Sequence, residues 1–158
     1  MENSVRFTRS LVKGKIAETI FAQMFRSVGK YTVLEFGYEK VIPELVQNGY
    51  AEHTGIIETL RTAPDFAVID NNQRHVKLVE VKYRRTMNNL EILKVVQRMH
   101  QSWNPSYLFV CTLDGFYFDD ITTIMSHNGH IARLDTIDIP ETAQEKYLKI
   151  LQDFESDQ

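Results

Sequence analysis

Pro64-Asp65-Phe66-Ala67-Val68-Ile69-Asp70, a break at Asn71-Asn72-Gln73, then His75-Val76-Lys77-Leu78-Val79-Glu80-Val81-Lys82-Tyr83: this stretch decides the fold. Both apolar runs are rich in β-branched and aromatic residues, and turn formers separate them. That is the pattern of two paired strands. Within the second run, Glu80 and Lys82 interrupt positions that expect burial. A charge taken out of water is costly unless it is paired or ligates a metal. Such charges need a chemical reason, and a divalent cation beside a phosphate supplies one.

The register follows from the turn. If Asp70 pairs near His75, antiparallel pairing sets Asp65 opposite or diagonal to Glu80. Side chains two apart share a face, so Glu80 and Lys82 point together, away from Val79 and Val81. Opposed positions approach to roughly 5 Å, where two bare carboxylates repel. A cation turns that repulsion into a ligand set. Carboxylate, main-chain carbonyl and water oxygens suit Mg²⁺ or Mn²⁺, not zinc. Lys82 would not ligate while protonated, but its ammonium could orient a water or neutralise charge growing on phosphorus.

Outward from this pair, Val12, Ile16, Ala17, Ile20, Phe21, Met24 and Val28 recur at helical spacing, predicting a helix over 11–28 with Gly29 at its C-cap. Glu18 falls at the edge of that stripe, one turn after Gly14, and can reach a cleft there. Residues 31–37 read as a strand, and 43–49 as a short helix with proline in its first turn. A helix over 89–101 carries Leu90, Leu93 and Val96 at helical spacing, with Gln97 beside them, and stops before Asn104-Pro105. Residues 107–111 form a buried strand, and Asp114-Gly115 turns into Phe116-Tyr117-Phe118. A last helix starts near Pro140, with Ala143, Tyr147, Ile150, Leu151 and Phe154 on one face. The class is α/β, a mixed sheet flanked by helices.

At 158 residues the chain is one domain, able to bury a core without staples. A net charge of −3 argues against a protein that coats nucleic acid nonspecifically. It says less against an enzyme whose carboxylates a cation would partly neutralise. No apolar run reaches membrane-span length, the start lacks signal-peptide features, and Cys111 is a lone cysteine. A cytoplasmic protein is the expectation.

A helix with Gly14 and Glu18, Pro64-Asp65, then Glu80-Val81-Lys82 in an αβββαβ order resembles the PD-(D/E)XK nuclease superfamily, with its restriction-endonuclease-like fold. The run through Tyr83 and Arg84 is most similar to the Holliday-junction-resolvase-like branch. The likeness spans roughly residues 12–112, leaving 113–158 as a C-terminal extension of hairpin and helix. It implies that Asp65 and Glu80 hold Mg²⁺ (or Mn²⁺ as a substitute), that Val81 lends its carbonyl, and that Glu18 is a further ligand. It implies that Lys82 assists the nucleophilic water. Gln97 would be a supporting residue, and Tyr83 and Arg84 would face phosphate or a subunit boundary.

Each signal has a plainer reading. Asp65, Glu80 and Lys82 could be a salt bridge on a half-exposed sheet, worth little. Glu18 could be a solvated helix glutamate, and Gln97 could bond to backbone. Arg84 and Arg85 could be solvated charges instead of phosphate contacts. His127-Asn128-Gly129-His130 offers two zinc ligands in a turn with no cysteine pair to complete them. Cys111 fits a buried structural thiol, and Trp103, Tyr107 and Phe109 fit the core. The expectation is a Mg²⁺-dependent endonuclease acting on DNA, working as a homodimer. A silent nucleic-acid- or protein-binding module and an RNA-cleaving enzyme are the rivals.

Overall fold

The hairpin pairs as the turn requires: Asp70 faces His75, and Phe66 faces Val79. The computed structural model describes residues 2–37 and 59–156. Its elements are α1 (Glu2–Ser27), β1 (Tyr31–Glu35), β2 (Phe66–Asp70), β3 (His75–Tyr83), α2 (Asn89–Ser102), β4 (Tyr107–Thr112), β5 (Gly115–Asp120), α3 (Ile121–Ser126) and α4 (Glu141–Ser156). The short helix expected over 43–49 lies outside the described residues.

The strands form one sheet in the order β1-β2-β3-β4-β5. β3 and β4 run parallel, with α2 as the crossover between them, and the other pairs are antiparallel. The αβββαβ order expected of a restriction-endonuclease-like core is present. α1 and α4 cover one face, where Phe21, Met24, Val79, Val81, Phe109 and Leu151 are buried together. α2 and α3 cover the other, where Ile92, Val96, Leu108, Val110, Ile121 and Ile124 pack. Phe116, Leu134, Ile139 and Leu151 belong to the first core, so the C-terminal extension is built into it.

Four expectations shift. α1 begins at Glu2, well before residue 11, because residues 3–12 are exposed and carry no periodic stripe. The inner face of α2 is Ile92, Val96 and Met99, and Leu90 is 72% exposed. The helix is N-capped by Asn88, whose side chain accepts from the Glu91 N–H. That cap places Leu90 in the first turn, on the outer side. Ile150 is likewise turned to solvent, leaving Leu151 as the buried anchor of α4. Finally α3 was not expected: Ile121-Thr122-Thr123-Ile124 is β-branched, but Asp120 caps it by accepting from the Thr123 N–H at 2.9 Å.

Candidate active site

Asp65 sits one residue before β2, at the point where the β2–β3 ladder ends. Its carbonyl accepts the N–H groups of Phe36 at 3.0 Å and Gly37 at 3.3 Å. Gly37 permits this approach, since a Cβ there would lie 3.4 Å from Asp65 Cα. With its backbone held from the β1 side, Asp65 turns its carboxylate toward β3. Oδ2 accepts the Val81 N–H at 2.8 Å, so a side chain replaces the missing ladder acceptor. Extending the register by one pair brings Asp65 opposite Glu80, as the hairpin arithmetic expects.

Glu80 and Lys82 alternate with the buried Val79 and Val81, and Lys82 Nζ lies 3.5 Å from Glu80 Oε1. The Glu80 side chain is 15% exposed and that of Lys82 36%. From the other side, α1 presents Glu18, whose Oε2 is 3.4 Å from Lys15 Nζ. The helix phase that buries Ala17, Ile20 and Phe21 sets Glu18 at the margin of the core.

The electrostatics record this crowding. Burial, then repulsion from Asp65, pushes the Glu18 carboxyl up to about 7. Burial, then repulsion from Glu80, likewise pushes Asp65 up to about 7, against the pull of the Val81 N–H. Glu80 is raised mainly by burial, with Lys82 pulling the other way. The three titrate as a group, holding protons that isolated carboxyls would have lost. Among the described residues no group of three or more His, Cys, Asp or Glu side chains is arranged to hold a metal ion. Asp65 is engaged with Val81 and Glu80 with Lys82, so a cation would have to draw the donors together. Their chemistry fits a hard cation: oxygen donors, partly buried, in mutual repulsion.

Two clefts of about 470 Å³ each meet at Glu18, Asp65 and Glu80. The first is lined by Lys15, Gln23, Arg26, Glu35 and Arg61 among others. The second is lined by Lys13, Gly14, Val81, Lys82, Tyr83 and Arg84. Sequence reasoning placed Glu18, Asp65, Glu80, Val81, Lys82, Tyr83 and Arg84 near one another; the structure sets Glu18, Asp65 and Glu80 at the junction and Val81, Lys82, Tyr83 and Arg84 along the second cleft. It missed Arg26 and Arg61, whose placement depends on tertiary packing. Lys13 and Lys15 form a basic cluster with Arg6 and Arg9 in the sequence, and a cluster alone does not assign them to a site, although Lys15 precedes Glu18 by one helical turn.

The remaining candidates lie away from the clefts, and the Arg84 side chain, though it borders the second one, is engaged with its neighbours. Gln97 is exposed and lines neither cleft, because the inward phase of α2 passes through Val96 and Met99. Arg84 Nη1 donates to the Tyr83 carbonyl at 2.8 Å. Its Nε lies 3.2 Å from Glu91 Oε1, close enough to attract but without an aligned hydrogen bond. Arg85 is exposed. His127 and His130 are exposed, and His127 Nδ1 is 2.8 Å from the Thr123 carbonyl, closing the end of α3. Cys111 is fully buried, and burial pushes its thiol up, away from the reactive thiolate. Phe109 is core; Trp103 Nε1 instead donates to the Thr59 carbonyl at 3.1 Å, tying down the approach to Pro64.

No protein-family model matches the chain, and no curated protein sequence matches it. Its structure is similar to that of Hjc, a Holliday junction resolvase from the archaeal hyperthermophile Archaeoglobus fulgidus. The TM-score is 0.40 at 10% identity, over 84% of this chain and 98% of that one. No helix among the described residues is long and apolar enough to cross a membrane.

Proposed function

We propose that this protein is a Mg²⁺-dependent endonuclease that hydrolyses phosphodiester bonds of DNA. The observation that supports it is the gathering of Glu18, Asp65 and Glu80 around two clefts, with burial and mutual repulsion raising the first two to about 7. Buried carboxyls that repel one another oppose folding when ionised, a bound cation offsets that repulsion, and groups perturbed in this way cluster at functional sites.

In this reading Asp65 and Glu80 hold the metal, the Val81 carbonyl lends an oxygen, and Glu18 contributes directly or through water. When bound, Mg²⁺ would polarise a phosphoryl oxygen and lower the pKa of an attacking water. Lys82 orients that water and faces the charge that develops as the P–O bond breaks. Lys13, Lys15, Arg26 and Arg61 border the clefts and offset the negative charge of a strand laid across them. Two copies in a homodimer would present two such sites to a duplex or a junction.

Calorimetry with Mn²⁺ and a cleavage assay on linear, branched and single-stranded DNA and on RNA test this together. Binding at or below millimolar Mn²⁺, with cleavage lost in Glu80→Gln and Lys82→Ala, supports the reading. Cleavage of RNA alone would move the substrate class. No Mn²⁺ binding and no cleavage would leave a binding module of the same fold.

A further inference from the structure

Glu155, on the last turn of α4, contacts Lys13 and Tyr83, two residues of the second cleft. Its Oε1 accepts a hydrogen bond from the Tyr83 hydroxyl and lies 2.9 Å from Lys13 Nζ. The same ammonium sits 5.4 Å from the centre of the Tyr83 ring. The side chains of Lys13 and Glu155 are 24% and 14% exposed, so the group is largely withdrawn from water. Lys13 comes from α1 and Tyr83 from β3, and both line the cleft that leads to Asp65 and Glu80. Arg85 adds a weaker electrostatic attraction to Glu155.

Two donors from different elements, converging on one anionic oxygen, fit a phosphate oxygen as well as a carboxylate. We propose that Lys13 and Tyr83 form a subsite for a non-scissile phosphate of a nucleic-acid strand. Glu155 occupies that subsite in the free protein and is displaced when the strand binds. The subsite rests on the phosphodiesterase reading of the neighbouring acidic group for its substrate class.

α4 does not need Glu155 to stay docked. Leu151 is 1% exposed, Gln152 Nε2 donates to the Leu113 carbonyl at 2.9 Å, and Gln144 Nε2 donates to the Ile139 carbonyl at 2.8 Å. A carboxylate in the last turn also opposes the helix dipole, and α4 has no basic residue there to relieve it. Glu155 is thus held by Lys13, Tyr83 and the field of Arg85, at the end of a helix where little else resists its release.

The test measures affinity in EDTA, so that no cleavage occurs, for a fluorescein-labelled DNA duplex and for inorganic pyrophosphate. Glu155→Ala and Glu155→Gln should each tighten binding of both probes by roughly twofold to fivefold, the scale of one part-exposed ion pair. Asp153→Ala removes the same charge from the same helix away from the subsite and should give a distinctly smaller gain. Adding Lys13→Gln to Glu155→Ala should erase the gain. Unchanged or weaker binding of both probes in folded Glu155 variants overturns the proposal, as does an equal gain in Asp153→Ala. Tighter pyrophosphate binding with no DNA binding in any variant would leave the subsite standing and remove the DNA-cleaving function. Wild-type cleavage of DNA without any gain in the Glu155 variants would do the reverse.

Discussion

Strand β3 carries two regions whose chemistry is opposite. Val79 and Val81, 0% and 6% exposed, face the core beneath α1, where Phe21, Phe66 and Phe109 fill the space with ring contacts at 4.8 to 5.2 Å. Glu80 and Lys82 alternate with them and face the cleft junction, beside carboxylates that repel. The first region stores stability because every contact is apolar and none depends on pH or ions. The second spends stability, because burial and like charge act against the ionised forms. Interleaving them on one strand gives the acidic group a rigid floor. Substitutions should therefore separate function from folding according to residue parity along β3.

The largest effects test that separation. Glu80→Gln and Lys82→Ala should lower metal-dependent DNA cleavage by roughly 10²–10⁴-fold, with far-UV circular dichroism and urea midpoint near wild type. A matched loss of activity and fold in both variants would break the comparison. In the core that Val79 and Val81 face, Phe109→Ala on the neighbouring β4 should lose about 3–5 kcal/mol of stability in urea unfolding. It should weaken cleavage only as the fraction of folded protein falls. Asp65 stands between the two regions, since its carboxylate also accepts the Val81 N–H. Asp65→Asn, which keeps an acceptor, isolates the charge better than Asp65→Ala, which strands that N–H.

The same comparison sets a pH dependence. Glu18 and Asp65 are raised in the folded protein, to about 7 each, so their contribution to stability is fully present below their unfolded values near 4. It is lost as pH rises through about 7. Metal-free protein should melt at a lower temperature at pH 8 than at pH 5.5, by a few degrees. Asp70 and Glu155 are lowered, mainly by hydrogen bonds from the Gln73 N–H and the Tyr83 hydroxyl. Their contribution is lost only in more acidic solution, outside this window. Asp65→Asn should flatten the slope, and saturating Mn²⁺ should flatten it in wild type by replacing the protons. Thermal melts in EDTA across that range, with and without Mn²⁺, read the effect. A melting temperature that climbs steadily to pH 8 in EDTA would contradict the crowding of these carboxyls.

Much of this junction was legible because its determinants are local. The turn at residues 71–73 fixes the β2–β3 register, and register alone carries Asp65 to Glu80. Ala17, Ile20 and Phe21 fix the phase of α1, and with it the position of Glu18. The failures also have physical reasons. The first turns of α1 are solvated all round, so periodicity had nothing to mark. α3 depends on the Asp120 cap, which outweighs the strand preference of its β-branched residues. Leu90 is as apolar as Ile92, and only packing beneath α2 decides which of them is buried. Glu155 lies 72 residues from Tyr83 in sequence, and no local pattern links them.

The smallest expected effect falls where the two regions meet on α1. Gly14 is inside the helix, lines the second cleft, and a Cβ there would meet nothing within 4 Å. Glycine in a helix interior is weaker than alanine by about 0.5–1 kcal/mol, so Gly14→Ala should stabilise the protein by that amount in urea unfolding. The added methyl lies on the cleft side of the helix and should change DNA affinity by less than about threefold, below the roughly 0.8 kcal/mol of one fully buried methylene. Gly14→Leu, also a good helix former, should keep most of the stability gain while weakening DNA binding clearly further. A glycine that lowers stability and can be improved without any clash is explained if a ligand needs the space. Were Gly14→Leu to bind DNA as tightly as wild type, the second cleft would not carry the strand.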